Sequence, residues 1–180
     1  MLARSHAIAT SSRTMTRKSS FPPVAAADAR LLVLGSLPGD RSLAEARYYA
    51  HPQNQFWALM SGVLARDLVA LAYDERLVAL RDAGVAVWDV IGSAHRVGST
   101  DAAILDAQDN AVADLVARLP DLRAIAFNGA TALKLGLRQG LGTLGPAIVA
   151  LPSSSPLHTI GRAAKQPAWD ALAPFLAVPR

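Results

Sequence analysis

The chain of 180 residues is 52% hydrophobic and contains no cysteine. This length allows one well-buried core and is too short for two comfortable domains. The absence of cysteine excludes disulfides, thiolate zinc sites, cysteine nucleophiles and iron–sulfur clusters. Arg, Asp, Gly or Pro interrupts every apolar run before it reaches the roughly 18 residues that span a bilayer. We therefore expect a single globular domain in the cytoplasm, a monomer without a membrane segment.

Charge is unevenly distributed along the chain. The 18 basic and 14 acidic residues give a formal net charge of +4, but four of the basic residues fall within residues 1–20, which contain no acid. Residues 21–180 then carry 14 basic and 14 acidic groups, so net charge alone does not predict a DNA-binding body. We interpret residues 1–20 as a disordered tail or as sequence upstream of a start at Met15, with a transit peptide as the alternative. Residues 21–180 are the predicted domain.

Short apolar runs that end in Gly, Asn, Ser or Pro predict buried strands leading into loops. Helical patterns lie between them: one follows Asn54, one is capped by Asp74 and stops at Gly84, and one stops at Pro120. This alternation predicts a three-layer αβα sandwich around a mostly parallel four-stranded sheet, with a ligand cleft at the carboxyl ends of the strands. The predicted strands are ARLLVLGSLPG (29–39), VAVWDVIGS (85–93), RAIAFNG (123–129) and AIVALPSSSP (147–156), and two further helices are predicted in ATALKLGL (130–137) and AWDALAPFL (168–176).

The segment RYYAHPQNQFW (47–57) holds four of the ten aromatic residues, together with a histidine, an asparagine and two glutamines. A pocket for a flat molecule with polar edges needs this mixture of rings and amides. The segment follows the first strand, so it lies on the same edge of the sheet as the loops that leave the other strands. We expect all of these loops to line one cleft.

Four motifs in this order, GSLPG, YYAHPQNQFW, AFNG and LPSSSP, resemble the uracil-DNA glycosylase superfamily, and most closely its hypoxanthine-DNA glycosylase branch. The resemblance runs from about Leu31 to Trp169. It implies a DNA partner containing deaminated bases and a base-excision activity that releases hypoxanthine, with uracil or xanthine as alternative bases. It implies no metal and no organic cofactor.

Asn128 is the predicted reader of the base. Its amide offers an acceptor beside a donor, which matches the adjacent N–H and C=O of hypoxanthine or uracil. Adenine and cytosine present the opposite order. The alternative is that Asn128 only forms a turn before Gly129.

The remaining substrate contacts are predicted from the first loop and the aromatic segment. By resemblance Tyr49 is the ring on which the extruded base stacks, with Phe56 supporting it from the core. His51 either donates to the base or a phosphate, or is a structural loop residue. The predicted substrate-binding set is Gly35, Ser36, Leu37, Tyr49, His51 and Asn128.

Asn54 is the predicted catalytic residue. Leu37 occupies the position where mismatch-type members carry an asparagine that holds the attacking water, and the resemblance assigns that work to Asn54 in HPQN. Because an amide is not a useful base near neutral pH, the predicted reaction is largely dissociative, with the bond to the sugar breaking first. The alternative role of Asn54 is to cap the following helix.

The resemblance implies that the loop after the last strand contacts the DNA backbone and enters the minor groove. Hydroxyls and backbone N–H groups of this kind bind phosphate oxygens without reading sequence, and an exposed leucine can part stacked bases. The alternative is an ordinary turn. The residues concerned are Ser153, Ser154, Ser155, Leu157 and His158.

Two other functions are compatible with parts of the sequence. A serine hydrolase could use Ser36, Asp40 and His158, although no GxSxG elbow is present. A phosphate-binding module could use the Gly- and Ser-rich loops without chemistry. No metal site is predicted, because the histidines lack partners at ligand spacing, and none of the three lysines is placed as a lyase nucleophile, which predicts a monofunctional enzyme.

Overall fold

A computed structural model describes residues 16–178 of the chain. Its centre is a four-stranded, all-parallel sheet in the order β3-β2-β6-β7. The register pairs Gly35 with Asp89 and Asn128 with Leu151, so all four strands end at one edge. This confirms the predicted sheet. Its strands are β2 (Leu31–Gly35), β3 (Val85–Asp89), β6 (Ala124–Asn128) and β7 (Ala147–Leu151).

Helices cover the sheet and complete the predicted three layers. Every residue of β2 is buried, as expected for a central strand with both faces covered. No helix within residues 16–178 is long and apolar enough to cross a membrane. The helices are α1 (Asp40–Glu45), α2 (Phe56–Leu64), α3 (Tyr73–Asp82), α4 (Val112–Ala117), α5 (Ala130–Arg138), α6 (Arg162–Asp170) and α7 (Ala173–Leu176), with short 3₁₀ turns at Asp101–Ala103 and Leu141–Thr143.

Two helix predictions need correction. The helix predicted to be capped by Asp74 begins two residues earlier, with Ala72 as its N-cap and Tyr73 as its first residue, and the Glu75 carboxylate reaches back to accept the Ala72 N–H at 2.9 Å. The single helix predicted for residues 168–176 is two helices, since α6 ends at Asp170 and α7 starts again at Ala173.

A second sheet was not predicted. It is three-stranded, in the order β1-β4-β5, and it forms because the run predicted as one strand over 85–93 breaks after Asp89. Its pairs are antiparallel. Its strands are β1 (Thr16–Ser19), β4 (Ile91–Arg96) and β5 (Leu105–Asp109).

Strand β1 changes the predicted boundary of the tail. Residues 16–19 pair with β4, and Lys18 forms an ion pair with Asp40, so the ordered chain begins before residue 21. The earlier residues, including the proposed start at Met15, lie outside the described part of the chain.

Candidate active site

One cleft of about 480 Å³ opens at the carboxyl edge of the parallel sheet. It lies where strand ends and loops meet, as expected for this kind of fold. All twelve residues predicted from the sequence line it: Gly35, Ser36, Leu37, Tyr49, His51, Asn54, Asn128, Ser153, Ser154, Ser155, Leu157 and His158.

Tyr49 forms an aromatic wall of the cleft. Its ring stacks on Phe56 with centroids 3.8 Å apart and planes at 14°, and Phe56 is fully buried. One face of the tyrosine is therefore covered, and a planar base in the cleft would stack on the other. The Tyr49 hydroxyl is buried without a hydrogen-bond partner among the described residues. Burial and the neighbouring Asp89 raise the pKa of this phenol, so it remains a donor.

The Asn128 amide is held by two hydrogen bonds to Ser154. Its Oδ1 accepts the Ser154 N–H at 2.8 Å, and its Nδ2 donates to the Ser154 hydroxyl at 2.8 Å. A backbone N–H can only donate, so this contact fixes which side of the amide carries the oxygen. The second lone pair of Oδ1 and the second hydrogen of Nδ2 remain for another partner. The amide therefore presents one free acceptor site and one free donor site in a fixed orientation.

The close approach of two loops explains why glycine follows Asn128. Gly129 has a φ of 105°, and a Cβ there would lie 3.0 Å from the Ser153 Cβ. Both the left-handed backbone and the contact exclude a larger residue. The position is thus a turn, as the alternative interpretation held, but a turn that also presents the Asn128 side chain to the cleft.

Ser154 has an internal role that differs from the predicted one. It is 1% exposed, and besides its bonds to Asn128 its carbonyl accepts the Gln55 N–H at 2.9 Å. The predicted contact with a DNA phosphate is not supported for a residue whose polar groups are engaged in this way. Ser154 instead joins the aromatic segment to the end of β6.

Asn54 both supports α2 and faces the cleft. Its Oδ1 accepts the Phe56 N–H at 3.0 Å, although the N-cap position itself is Gln55. The bond satisfies one of the free N–H groups at the helix start. The side-chain NH2 makes no hydrogen bond within residues 16–178, and Asn54 lines the cleft. Capping and a role in the cleft therefore coexist.

The loop that follows β7, residues 153–158, forms the outer wall of the cleft and carries exposed side chains. Leu157 is 62% exposed, and His158 follows it in the same loop. Lys165 is fully buried and donates to the His158 carbonyl at 2.9 Å, which ties this loop to α6. His51 is exposed on the opposite wall, and its Nδ1 accepts the Gln53 N–H at 3.1 Å, a local loop contact.

The first loop is fixed from beneath by buried polar groups. Arg96 is 1% exposed and donates to the carbonyls of Leu37 and Pro38. Ser36 donates its hydroxyl to Asp101 at 2.7 Å. The hydroxyl is thus not directed at His158 or Asp40, so the hydrolase triad is not assembled. Within residues 16–178, no three His, Asp or Glu side chains converge as a metal site would require.

Asp89 is a cleft residue that the sequence analysis missed. It is the last residue of β3, is 3% exposed and lines the cleft. A Cβ on the neighbouring Gly35 would lie 2.6 Å from its Oδ1, so glycine is required there for steric reasons. Burial raises the pKa of the Asp89 carboxyl to about 7, while the Ser20 hydroxyl bond and Arg96 lower the pKa. No signal in the sequence marks it, because Asp89 ends a strand only once the run over 85–93 is divided into β3 and β4.

Comparison with known proteins identifies the family of the chain. Residues 22–173 match the family model described as the uracil DNA glycosylase superfamily. A protein of Methanosarcina barkeri named hypoxanthine DNA glycosylase is 39% identical over 63% of this chain and 72% of its own length. One of the same name from Methanosarcina acetivorans is 34% identical over 86% of this chain and 97% of its own.

A solved structure shares the fold. The solution NMR structure of a candidate uracil DNA glycosylase from Methanosarcina acetivorans is 33% identical, with a TM-score of 0.79 over 89% of this chain and 99% of that one. The family match spans most of the chain, and the alignments cover most of the length of each relative. The chain therefore belongs to the uracil DNA glycosylase superfamily, and its activity is that of a DNA glycosylase, a hydrolase of N-glycosyl bonds.

Proposed function

We propose that this glycosylase releases hypoxanthine from DNA by hydrolysing the N-glycosidic bond of deoxyinosine, with uracil or xanthine as alternative bases. The observation that carries the proposal is the fixed amide of Asn128. Its free acceptor meets the N–H of a deaminated base, and its free donor meets the adjacent carbonyl. The names of the two Methanosarcina relatives support hypoxanthine in particular.

The base reaches this amide only when it leaves the helical stack. Tyr49, backed by Phe56, offers a ring on which the extruded base stacks, and stacking of this kind is worth about 1 to 3 kcal/mol. Asn128 is partly buried in the same cleft, and a hydrogen bond at a site of lower dielectric is stronger than one in water. Stacking holds any base, whereas the amide selects among them.

Asn54 lines the cleft, and we assign to it the role of positioning the attacking water. Its unbonded NH2 and the remaining lone pair of Oδ1 can hold one water molecule. Since an amide does not take up the proton, the bond from C1′ to the base breaks ahead of water addition. Hydrogen bonds to the departing base stabilise the charge that it gains.

The test is a panel of oligonucleotides, each with one deoxyinosine, deoxyuridine or deoxyxanthosine, and a matched strand with deoxyadenosine. The expected product is an abasic site, seen as alkali-induced strand cleavage, formed fastest from deoxyinosine and not from deoxyadenosine. Intact strands without added alkali would support a monofunctional enzyme. Faster release of uracil than of hypoxanthine would contradict the proposed preference.

A further inference from the structure

Asp89 lies at the floor of the cleft, which is formed by Gly35, Tyr49, Asp89 and Asn128. One of its carboxylate oxygens accepts a hydrogen bond, and the other accepts none within residues 16–178. Its Oδ2 accepts the Ser20 hydroxyl at 2.7 Å. Its Oδ1 faces Gly35. A Cβ placed on Gly35 would lie 2.6 Å from this Oδ1 and 3.4 Å from the Tyr49 hydroxyl oxygen. The Asn128 amide lies close to that hydroxyl. This oxygen therefore lies beside Gly35 and the Tyr49 hydroxyl, in the cleft that Asn128 also lines.

The charged and titratable groups around Asp89 come from every neighbouring element. Arg96 on β4 attracts its negative charge and Asp101 repels it, and the phenols of Tyr48 and Tyr49 are themselves held neutral by burial. Arg96 directs its hydrogen bonds to loop carbonyls and not to this carboxyl. With its pKa raised to about 7, chiefly by burial, the Asp89 carboxyl carries its proton in a large share of molecules near neutral pH.

We propose that Asp89 is a catalytic general acid that delivers a proton from Oδ1 to the N7 nitrogen of the flipped hypoxanthine. The inference rests on the proposed function. Asn128 engages the N–H and carbonyl of the six-membered ring, and in purines with a 6-oxo group the N7 acceptor lies beside that carbonyl. A donor on the floor next to Asn128 is therefore placed for N7. Uracil offers no such ring nitrogen.

The step balances without any further reagent. The bond between C1′ and N9 breaks and its electron pair moves into the purine, while the proton of Asp89 adds to N7, so hypoxanthine leaves as a neutral molecule. Water adds to C1′ and loses a proton to solvent. The Asp89 carboxylate recovers a proton before the next turnover. The gain is that the departing base never carries a full negative charge in the buried cleft.

The first experiment measures single-turnover base release from deoxyinosine and from 7-deaza-2′-deoxyinosine, which has a carbon at position 7. Asp89→Asn keeps the size of the side chain but removes the acid, and the expected loss on deoxyinosine is about 100-fold or more. Neither the variant nor wild type should release the 7-deaza base at a measurable rate, because its position 7 cannot take up the proton and the base is then a poor leaving group. Asp109→Asn, which removes an exposed carboxylate on β5, is the matched control and should match wild type on deoxyinosine.

The second experiment follows the pH profile. Wild-type release of hypoxanthine should fall above about pH 7 as Asp89 loses its proton, and this fall should be absent from Asp89→Asn. Ser20→Ala removes a hydrogen bond that lowers the pKa of Asp89, so the fall should move to higher pH. A residue with a purely structural role would not produce this shift.

Each outcome decides the inference. Release of the 7-deaza base by wild type as fast as release of hypoxanthine, undiminished release of hypoxanthine by Asp89→Asn, or an unchanged profile in Ser20→Ala would each overturn the general-acid role while leaving the proposed function intact. Failure of the wild type to release hypoxanthine from deoxyinosine would overturn both the general-acid role and the proposed function. If Asp89→Asn does not fold, the profiles of wild type and Ser20→Ala still decide, because neither measurement needs that variant.

Discussion

The floor and the outer wall of the cleft are built in different ways. The floor, formed by Gly35, Tyr49, Asp89 and Asn128, includes three strand ends whose register is set by the parallel sheet. Tyr49 is stacked on Phe56 and held with a φ of 53°, a costly conformation for a tyrosine. The floor thus has its polar groups positioned before any substrate arrives.

The outer wall depends on local contacts. Ser155 N–H bonds to the Ser153 hydroxyl and Leu157 N–H to the Ser155 hydroxyl, which are short-range turns of the kind that serine favours. The side chains of Leu157 and His158 are exposed. A rigid floor suits selection and chemistry, whereas an exposed wall suits contact with DNA of any sequence. Substitutions on the floor should therefore change the rate of base release, and substitutions on the outer wall should change how the protein binds and opens duplex DNA.

The largest effect is expected from Asn54→Ala. Loss of the group that holds the water should slow single-turnover base release by about 100-fold or more, with DNA affinity nearly unchanged. The variant also loses the bond to the Phe56 N–H, at a cost of about 1 kcal/mol in stability, so thermal unfolding is measured alongside. Gln53→Ala, at an exposed neighbouring position, is the control. A folded Asn54→Ala that cleaves normally would move the catalytic role to another residue.

Asn128→Asp comes next, with an expected loss of about tenfold to a hundredfold. An ionised carboxylate still accepts from the base N–H but repels the carbonyl, and that oxygen becomes more negative as the bond breaks. Lower pH should restore part of the rate by protonating the new carboxyl. Single-turnover release of hypoxanthine and uracil, with folding checked by circular dichroism, measures this. Equal rates would return Asn128 to a turn-forming role.

The residues that the sequence identified share a recognisable local setting. Apolar runs ending in Gly or Asn predicted the strand ends, and the motifs drew attention to Tyr49, Asn54 and Asn128. Asp89 was missed because VAVWDVIGS looks like one continuous strand, within which an aspartate has no special position. Only the break between β3 and β4, and the pairing of Asp89 with Gly35, bring the carboxyl into the cleft.

Buried charge was also beyond prediction. Lysine and arginine are rarely fully buried without partners, so Arg96 and Lys165 gave no signal in the sequence, yet each fixes a cleft loop through backbone carbonyls. Strand β1 was missed for a related reason. Its residues, TRKS, are polar and lack strand periodicity, and they are held by pairing with β4 and not by burial of apolar side chains.

A third prediction concerns the free energy of unfolding that is lost when Asp89 ionises in the folded protein, and its expected size above the folded-state pKa is on the order of 4 kcal/mol. The folded-state pKa of Asp89 is raised from 3.8 to about 7, so the folded protein holds this proton more tightly than the unfolded chain. Stability is full below the unfolded pKa and is lost as pH rises through about 7. Asp89→Asn should therefore raise Tm above pH 7 even while it slows catalysis.

Calorimetric unfolding of wild type and Asp89→Asn on both sides of this range measures the effect. The difference in Tm should be small below the unfolded pKa and should grow with pH, because only the wild type must ionise a buried group. A constant difference at every pH would mean that the pKa of Asp89 is the same in the folded and unfolded states, so that its ionisation would not destabilise the fold.

The smallest effect, about threefold to tenfold, is expected on the outer wall from Leu157→Ala. Leu157 is 62% exposed, and an apolar side chain at this rim can part the stacked bases of a duplex. Roughly 1 kcal/mol of lost apolar contact corresponds to that range.

The loss of rate should appear with deoxyinosine in duplex DNA and vanish with the same lesion in a single strand, where no stack has to be opened. Leu137→Ala, which truncates a leucine 48% exposed on α5, should affect neither substrate. An equal loss on both strands would show that Leu157 shapes the loop and does not act on the duplex, and the contrast between floor and wall would then rest on the serines and His158 alone.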